Sequence, residues 1–569
     1  MEKVIQALVG AWILVLLCSS AWAWRTNITG AATSSSDRAH AATVDGEGNV
    51  LAVGVTQNTD GGDFAVIKLE GVSGAELWRQ VINGTANGFD EARAVTVDAR
   101  GDVVAVGVTT NSGTGSDFTV IKFHGASGAE LWRQVINGSH TFDTRDGAHA
   151  VGMDAAGNVV AAGFTTNTGT SRDFTLIKFD GATGAELWRQ VINGTANGFD
   201  EADAITINAS GDVVAAGHTE NADIFGDFIV VKFDGATGAE LWRQEINRAG
   251  NGFDSANAVT VDAAGHVVVA GEISTIGDFF VEFIVVKLDG VSGAELWRQV
   301  IGGGFAHAVA VDARGDVVAA GLTGVFPTSL EEFTVVKFDG ASGAELWRQL
   351  LPGIPGGPDD EAFAVSLDGA GDVVAAGRIS FDFAVAKLDG ASGAELWRQV
   401  INGTRPGSAV DQAVAVAVDA RGDVVAAGRL DNSGTFFDFM VVKLRGTNGA
   451  DFSPTTEVAI AIRPRIDPNR INPNSIGHIR VAILSGNGFD ATEVLPNTVR
   501  FGANGTEAAP VNFVLRDVDG DGNRDMILRF LIQETGIECG QTSALLTGET
   551  SAKQLIQGSD SITTVRCHN

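Results

Sequence analysis

The chain has 569 residues, with 39 basic and 70 acidic side chains, a formal net charge of -31 and 44% hydrophobic residues. This hydrophobic content excludes a wholly disordered chain, and the length exceeds that of one ordinary domain. The strong negative charge argues against nucleic acid as a partner, because it repels phosphate.

The first 23 residues have the pattern of a secretory signal peptide. Lys3 precedes an apolar run over residues 4–17, and Ala21 and Ala23 flank Trp22 in the small-x-small pattern of a cleavage site. An uncleaved membrane anchor is the alternative, but the run is shorter than the roughly 20 residues that a spanning helix needs. We therefore predict a mature chain that starts at Trp24, has no membrane span, and is secreted or lies in the periplasm or on the cell surface.

Residues 24–453 contain eight copies of one repeat. The string GAELWRQ occurs seven times, while an Asp/Glu-Phe strand ending in Lys and a segment typified by VDxxGDVVAAG each occur eight times. Each copy has the pattern of four short strands separated by turns, and no stretch has sustained helical periodicity. The repeats therefore predict an all-β fold, an eight-bladed β-propeller of four-stranded blades.

The eighth copy lacks its fourth strand, because Ser453 stands where the other copies have tryptophan. Residues 24–30, WRTNITG, are similar to the WRQVING of the other copies. We expect this N-terminal segment to supply the missing strand. Closing the ring in this way would remove exposed sheet edges, which otherwise invite aggregation.

The segments DGATGAELW at 180–188 and 234–242 closely resemble the tryptophan-docking motif of PQQ-type, quinoprotein-like bacterial β-propellers. The resemblance covers residues 24–452 and implies an eight-bladed ring in which an indole docks between adjacent blades. The docking residues that it implies are Trp78, Trp132, Trp188, Trp242, Trp297, Trp347 and Trp397.

The resemblance also raises PQQ as a cofactor. In quinoprotein alcohol dehydrogenases it would imply a tryptophan floor, an adjacent cysteine pair and an axial aspartate with calcium ligands. Residues 24–453 contain no cysteine, and their tryptophans belong to the docking repeats or to the closing segment. We therefore predict no PQQ and assign no catalytic or cofactor-binding residue, with a PQQ-dependent quinoprotein-like oxidoreductase as the alternative function.

Loops at one face of the predicted propeller differ among copies, whereas the turns at the opposite face are nearly identical. Variable loops on a rigid scaffold commonly carry recognition. We predict a monomeric, non-enzymatic binding or scaffold protein whose variable face meets a protein, a glycan or a cell-surface component.

One aspartate precedes the first strand in seven of the eight copies, at the variable face. These residues either form an acidic ring that binds a cationic ligand or cap their own loops by accepting backbone hydrogen bonds. They are Asp37, Asp90, Asp146, Asp200, Asp254, Asp360 and Asp411. Elsewhere in each blade, the repeated Lys122 and Lys178 are expected to pair with Glu130 and Glu186 across a hairpin.

Residues 454–569 differ in composition from the repeats. They hold six of the eleven prolines and two cysteines, and short alternating segments predict a small β domain, similar to a C-terminal domain of many secreted bacterial proteins. In an oxidising compartment Cys539 and Cys567 are expected to form a disulfide, with two buried thiols as the alternative.

This C-terminal region contains one candidate metal site. Alternating carboxylates and a glycine turn suit the six to eight oxygen ligands of calcium. Leu528 stands at the twelfth position, where an EF-hand needs a carboxylate, so the loop instead resembles the shorter calcium loops of integrin-type repeats. We predict a structural calcium site, against the alternative of a plain polar turn, at Asp517, Asp519, Asp521, Asn523 and Asp525.

Overall fold

The computed structural model describes residues 24–567, except for 31–35, 59–60, 141–144, 222–225, 248–251, 275–280, 325–330, 354–359, 406–409, 450–455, 465, 467, 487–488, 504–506 and 552–554. The predicted signal peptide, residues 1–23, lies outside the described residues. Within the described part, no helix has the length and apolar character needed to cross a membrane.

Thirty-two strands of the described chain form eight antiparallel sheets of four strands each, the blades of the propeller. Blade 1 consists of β2 (Arg38–Val44), β3 (Val50–Gln57), β4 (Gly62–Leu69) and β5 (Glu76–Ile82), and blade 2 of β6 (Glu91–Val97), β7 (Val103–Asn111), β8 (Gly115–Phe123) and β9 (Glu130–Ile136). Blade 3 consists of β10 (Gly147–Met153), β11 (Val159–Asn167), β12 (Ser171–Phe179) and β13 (Glu186–Ile192). Blade 4 consists of β14 (Glu201–Ile207), β15 (Val213–Glu220), β16 (Gly226–Phe233) and β17 (Glu240–Ile246).

Blade 5 consists of β18 (Ser255–Val261), β19 (Val267–Ser274), β20 (Val281–Leu288) and β21 (Glu295–Ile301). Blade 6 consists of β22 (Gly304–Val311), β23 (Val317–Gly324), β24 (Glu331–Phe338) and β25 (Glu345–Leu351). Blade 7 consists of β26 (Glu361–Leu367), β27 (Val373–Ile379), β28 (Asp382–Leu388) and β29 (Glu395–Ile401). Blade 8 consists of β30 (Gln412–Val418), β31 (Val424–Asp431), β32 (Phe437–Leu444) and, from the start of the chain, β1 (Trp24–Ile28).

The second and third strands of each blade are buried almost throughout, while the first strands are partly exposed. Burial on both faces explains why the middle strands are nearly continuous runs of valine, alanine and isoleucine. The first strands of successive blades contact one another, and β30 contacts β2, so they surround the central axis. The buried apolar residues form eight clusters, each shared by two neighbouring blades. The predicted eight-bladed propeller is confirmed.

The N-terminal strand closes the ring, as predicted. β1 pairs antiparallel with β32, with Trp24 opposite Lys443 and Ile28 opposite Phe439. Trp24 is buried, and its indole nitrogen donates a hydrogen bond to the carbonyl oxygen of Gly71 in blade 1 at 3.2 Å. The first and last parts of the repeat array therefore share one blade.

Each repeated tryptophan docks on the following blade. Trp78, in blade 1, is buried and donates from Nε1 to the carbonyl oxygen of Gly125 in blade 2 at 2.9 Å. Lys68 donates to the same carbonyl at 2.9 Å and forms an ion pair with Asp45 of its own blade at 2.8 Å. The other repeated tryptophans and lysines make equivalent bonds, so a glycine carbonyl accepts twice at every blade boundary.

The expected pairing of the repeated lysines with glutamate is wrong. Lys122 pairs with Asp98 at 2.9 Å, whereas Glu130 pairs with Arg133 on the outer strand. A shift of register after Lys122 places Glu130 opposite Phe123, on the other face of the sheet. The same holds for Lys178, which pairs with Asp154, and for Glu186, which pairs with Arg189.

The C-terminal region forms two further four-stranded sheets and a two-stranded one around a single apolar core. Their strands are β33 (Thr456–Glu457), β34 (Ile460–Ile462), β35 (Arg470–Ile471), β36 (His478–Ile483), β37 (Arg500–Gly502), β38 (Asn512–Arg516), β39 (Asp525–Leu531), β40 (Ser543–Glu549), β41 (Leu555–Ser561) and β42 (Thr563–Thr564), with 3₁₀ turns at Ala491–Glu493, Pro496–Thr498 and Ile532–Glu534. Cys539 and Cys567 form the predicted disulfide, which is typical of an oxidising compartment.

Candidate functional site at the axial end of the propeller

A β-bulge interrupts the first strand of every blade at the same position, close to the variable loops. A bulge re-aims the side chain of its extra residue. The eight bulged residues, here called the bulge ring, are all partly exposed. They are His40, Arg93, His149, Asp203, Asn257, His307, Phe363 and Val414.

The repeat motifs of the sequence did not point to the bulge ring. Each member lies between two small residues near the start of the first strand of its blade. The residue at this position differs in chemistry from copy to copy, whereas its two neighbours do not. Alignment of the eight repeats could have found it, because a variable polar residue inside an otherwise repeated strand is not needed for packing.

Charge is divided unevenly around this end of the propeller. Four arginines lie in the adjacent blades 7, 8, 1 and 2, namely Arg378, Arg429, Arg38 and Arg93. Carboxylates lie in blades 4 and 5, opposite the arginines, namely Glu201, Asp203 and Glu272. Burial lowers the pKa of Arg429, and the charges of Arg38 and Arg378 lower it further, so these three groups lie close enough to interact.

Two glutamates hold the basic side in place. Glu91 contacts Arg93 at 2.5 Å, His40 at 3.5 Å and Arg38 at 3.7 Å. Burial lowers the pKa of His40 to about 4 despite the nearby Glu91, so this imidazole is neutral at neutral pH. In blade 7, Glu361 binds His307 and Arg378, each at 2.8 Å.

The acidic side contains two histidines. Asp203 lies between His149 and His218, with Nδ1 of each imidazole 3.4 Å from a different carboxylate oxygen. Burial alone would raise the pKa of Asp203, but the two histidines outweigh it and lower this pKa. Burial would likewise lower the pKa of His218, but Asp203 outweighs it and raises this pKa. Burial raises the pKa of Glu272 to about 7.

A cavity of about 420 Å³ opens between blades 2, 3 and 4. Its lining combines aromatic rings, Phe89 and Phe164, with Arg93, His149 and Glu201. Arg172 also lines it, stacks over Phe164 at 4.5 Å and donates a hydrogen bond to Glu201. The cavity therefore connects the basic and acidic sides.

Among the described residues of the variable face, four large aromatic side chains are exposed. Phe89, Phe199, Phe253 and Phe436 are each between 44% and 48% exposed. A cationic or imidazole group lies against every one of them, since Arg38 contacts Phe89, Arg172 contacts Phe199, His218 contacts Phe253 and Arg405 contacts Phe436. We call these four residues the phenylalanine rim.

The seven aspartates predicted as a possible ligand ring are all buried. Asp90 accepts a hydrogen bond from the backbone amide of Gly84, in the preceding loop, at 2.7 Å and another from the amide of Thr110, in its own blade, at 2.5 Å. The other six make the same kind of bond, Asp254 to Ser274 among them. These hydrogen bonds are those of the capping alternative.

The C-terminal loop brings three of its five predicted calcium ligands together. Asp517, Asp519 and Asp525 each offer a carboxylate oxygen within 4.8 Å of the others. Asp525 is buried and accepts hydrogen bonds from the amides of Ser485 and Val518. Asp521 and Asn523 instead bond to each other, at 2.8 Å.

The residues at the axis do not fit PQQ. All eight tryptophans of the propeller are buried at blade boundaries, where their indoles bond to glycine carbonyls, so none can form a floor under a quinone. Cys539 and Cys567, which are joined to each other, follow the propeller in the chain and cannot form an adjacent pair. We derive no chemistry through this cofactor.

The repeats, the ring and the docked indoles define a PQQ-type β-propeller. The family model described as outer membrane protein assembly factor BamB matches residues 20–225 and 226–443. The chain therefore belongs to this family of propeller proteins.

Comparison with individual proteins gives only distant likenesses. No curated protein matches the chain. Similar solved structures include quinohemoprotein alcohol dehydrogenase from Comamonas testosteroni, at 13% identity and a TM-score of 0.49 over 77% of this chain and 78% of that one. BamB from Moraxella catarrhalis has 15% identity and a TM-score of 0.41 over 71% of this chain and 92% of that one. Sqt1 from Chaetomium thermophilum, bound to the N-terminus of ribosomal protein L10, has 12% identity and a TM-score of 0.49 over 74% of this chain and 100% of that one.

Proposed function

We propose that the chain is an exported, non-enzymatic binding or scaffold propeller whose variable face recognises a partner protein. The observation that carries this proposal is the phenylalanine rim. Contact of an apolar ring with water is unfavourable, and each of these rings is a little under half exposed, so burial of the rest against a partner would contribute about 0.7 to 1.5 kcal/mol for each ring. Family membership is consistent with such a role but does not specify it.

The chemistry of the rim suits a protein partner. Aromatic and arginine side chains are enriched in the centres of protein interfaces, where a few of them carry most of the binding energy. Here each ring already lies against a basic or imidazole group, so ring and cation can be buried as a unit. The arginines of blades 7, 8, 1 and 2 would favour an acidic segment of the partner.

A matched pair of triple variants tests this proposal. Phe89→Ser, Phe199→Ser and Phe253→Ser together remove three members of the rim. Leu131→Ser, Leu187→Ser and Leu241→Ser form the control, because these leucines on the outer strands are as exposed, at 48% to 51%. In affinity capture from the envelope fraction of the native cell, the first variant is expected to lose the retained proteins and the second to keep them. Equal retention by both variants would contradict the proposal.

Export is part of the same proposal, and the disulfide supports it. Mass spectrometry of the protein isolated from its native cell should give a mature chain that begins at Trp24 with Cys539 and Cys567 joined. A full-length chain that retains residues 1–23 would contradict cleavage.

We further propose that calcium stabilises the C-terminal domain by binding the loop at 517–525. The three converging carboxylates support this, since they otherwise concentrate negative charge that a dication would neutralise. Millimolar calcium should raise the melting temperature of the C-terminal transition relative to chelator, and Asp519→Asn should reduce the rise. Identical melting in calcium and in chelator would overturn the assignment.

A further inference from the structure

The strongest unassigned cluster lies on the acidic side of the bulge ring. His149, Glu201 and Asp203 each offer a ligand atom, and these atoms lie within 4.8 Å of one another. His149 belongs to blade 3 and the two carboxylates to blade 4, so the cluster bridges a blade boundary. The calcium proposal and the phenylalanine rim use none of the three residues.

The spacing of the atoms around Asp203 is unusual for hydrogen bonds. Nδ1 of His149 and Nδ1 of His218 each lie 3.4 Å from a carboxylate oxygen, whereas a normal N–H···O bond measures about 2.7 to 3.2 Å. Two ligands bound about 2.0 to 2.1 Å from a zinc ion at a tetrahedral angle lie about 3.3 to 3.4 Å apart. The observed distances are therefore also those expected between neighbouring ligands of one metal ion.

A fourth group points to the same conclusion. Nδ1 of His218 is buried, and the carboxylate of Asp203, 3.4 Å away, does not give it a well-directed hydrogen bond. Burying a polar atom without a partner costs about 1 to 3 kcal/mol. A metal ion on the carboxylate of Asp203 would give this nitrogen a partner.

Neighbouring groups fit the support that a metal site needs. Arg172 donates to Oε1 of Glu201 and so fixes the orientation of that carboxylate. Phe164 packs edge-on against the ring of His149, with centroids 5.4 Å apart. The side chains of His149 and Asp203 are 19% and 25% exposed, and His149 lines the 420 Å³ cavity, which provides an entry path.

We infer that His149, Glu201 and Asp203, with His218 as a further donor, form a zinc-binding site at the axial end of the propeller. Imidazole nitrogen together with carboxylate oxygen is the ligand set that zinc accepts, whereas calcium and magnesium bind oxygen alone. Ligands from blades 3 and 4 would make the ion a clamp across that boundary. The site does not depend on the identity of the partner protein.

The test measures zinc binding by the full mature protein without a histidine tag. Calcium is kept at millimolar concentration, so that the C-terminal loop does not bind zinc. Isothermal titration should give one site per chain, and Asp203→Asn and His149→Ala should each weaken binding more than tenfold. His307→Ala is the matched control, because His307 occupies the same ring position in blade 6 and binds a single carboxylate. It should bind zinc as the unaltered protein does.

Two further readouts keep the test independent of folding. The zinc-induced rise in melting temperature is measured against the same variant in chelator, so a variant with lower intrinsic stability still reports its own binding. Cobalt, added in place of zinc, should produce the visible absorption bands of a low-coordinate ion, and Asp203→Asn should abolish them. Absence of zinc binding, or binding that survives both ligand substitutions, would overturn the site and leave a hydrogen-bonded histidine–aspartate cluster. The proposed protein recognition would be unaffected by either result.

Discussion

Trp24 lies directly opposite Lys443 in the closing blade, and both side chains donate hydrogen bonds to the carbonyl oxygen of Gly71. Residues separated by more than four hundred positions thus meet on one acceptor in blade 1. At every other blade boundary the tryptophan and the lysine come from the same repeat. The closing boundary has the same geometry, but its tryptophan comes from the start of the array and its lysine from the end. Opening the ring would expose the edges of β32 and β1 together.

Trp24→Ala should therefore destabilise the whole propeller. The indole is 2% exposed, and truncating a buried tryptophan to alanine costs about 3 to 5 kcal/mol. Thermal unfolding followed by circular dichroism should show a clear drop in melting temperature. Asn27→Ala is the control, because Asn27 is an exposed residue of the same strand and should change little. A melt of the Trp24 variant that matches this control would contradict closure by β1.

The docking of indoles can be isolated with two glycines near one boundary. Gly293 has a φ of +74°, and a Cβ there would lie 2.8 Å from the indole of Trp242. Gly265 has a φ of +86° with no atom near its would-be Cβ. Both alanine variants incur the cost of a left-handed backbone, about 1 to 2 kcal/mol, but only Gly293→Ala also displaces the ring. Denaturant midpoints should therefore fall further for Gly293→Ala, and equal midpoints would mean that the indole contact contributes little.

The buried lysine of each blade provides a third prediction. Lys337 is 2% exposed and binds Asp312 at 2.7 Å and the carbonyl oxygen of Gly390 at 2.9 Å. Lys337→Met would leave a buried carboxylate without its counter-charge, which costs about 3 to 5 kcal/mol. In blade 4, Lys232 pairs with the more exposed Asp212 at 3.1 Å, so Lys232→Met should cost less.

The same pair predicts a dependence on pH. Burial alone would raise the pKa of Asp312, but hydrogen bonds from Lys337 and from backbone amides outweigh it and lower this pKa. A carboxylate whose pKa is lowered by folding stabilises the folded protein at pH values above the ordinary pKa of aspartate. This stabilisation is lost as the pH falls through the pKa of the folded state. The difference in melting temperature between Lys337→Met and the unaltered protein should therefore shrink in acid. A difference that is constant between pH 7 and pH 3 would contradict the assignment.

Sequence patterns predicted the ring but not the site at its end. The number of blades, their strands and the closing segment follow from repeated packing motifs, which appear as periodicity. The bulge ring was missed because a bulge breaks the period of two: Ala39 and Ala41 each pair with the neighbouring strand, and His40 between them is left out. Likewise, the carboxylate of Asp90 was visible as a repeated residue, but the backbone amides that bind it come from different segments of the chain.

Glu272 should make the stability of the propeller depend on pH near neutrality. Burial raises its pKa from 4.5 to about 7, Asp203 adds to the increase, and His307 and Asn257 oppose it. Since the pKa of Glu272 is raised in the folded state, its protonated carboxyl makes its full contribution to stability below about pH 4.5, and this contribution is lost as the pH rises through 7. Glu272→Gln imitates the protonated carboxyl, so it should match the unaltered protein at pH 4 and melt several degrees higher at pH 8.

Glu295→Gln is the control for this comparison, because Glu295 lies on the outer strand of the same blade and pairs with Arg298 at the surface. Its melting temperature relative to the unaltered protein should not rise between pH 4 and pH 8. If Glu272→Gln gave no gain at pH 8, the carboxyl of Glu272 would have to be ionised in the folded protein without penalty. Such a result would contradict the raised pKa of Glu272 on which the prediction rests.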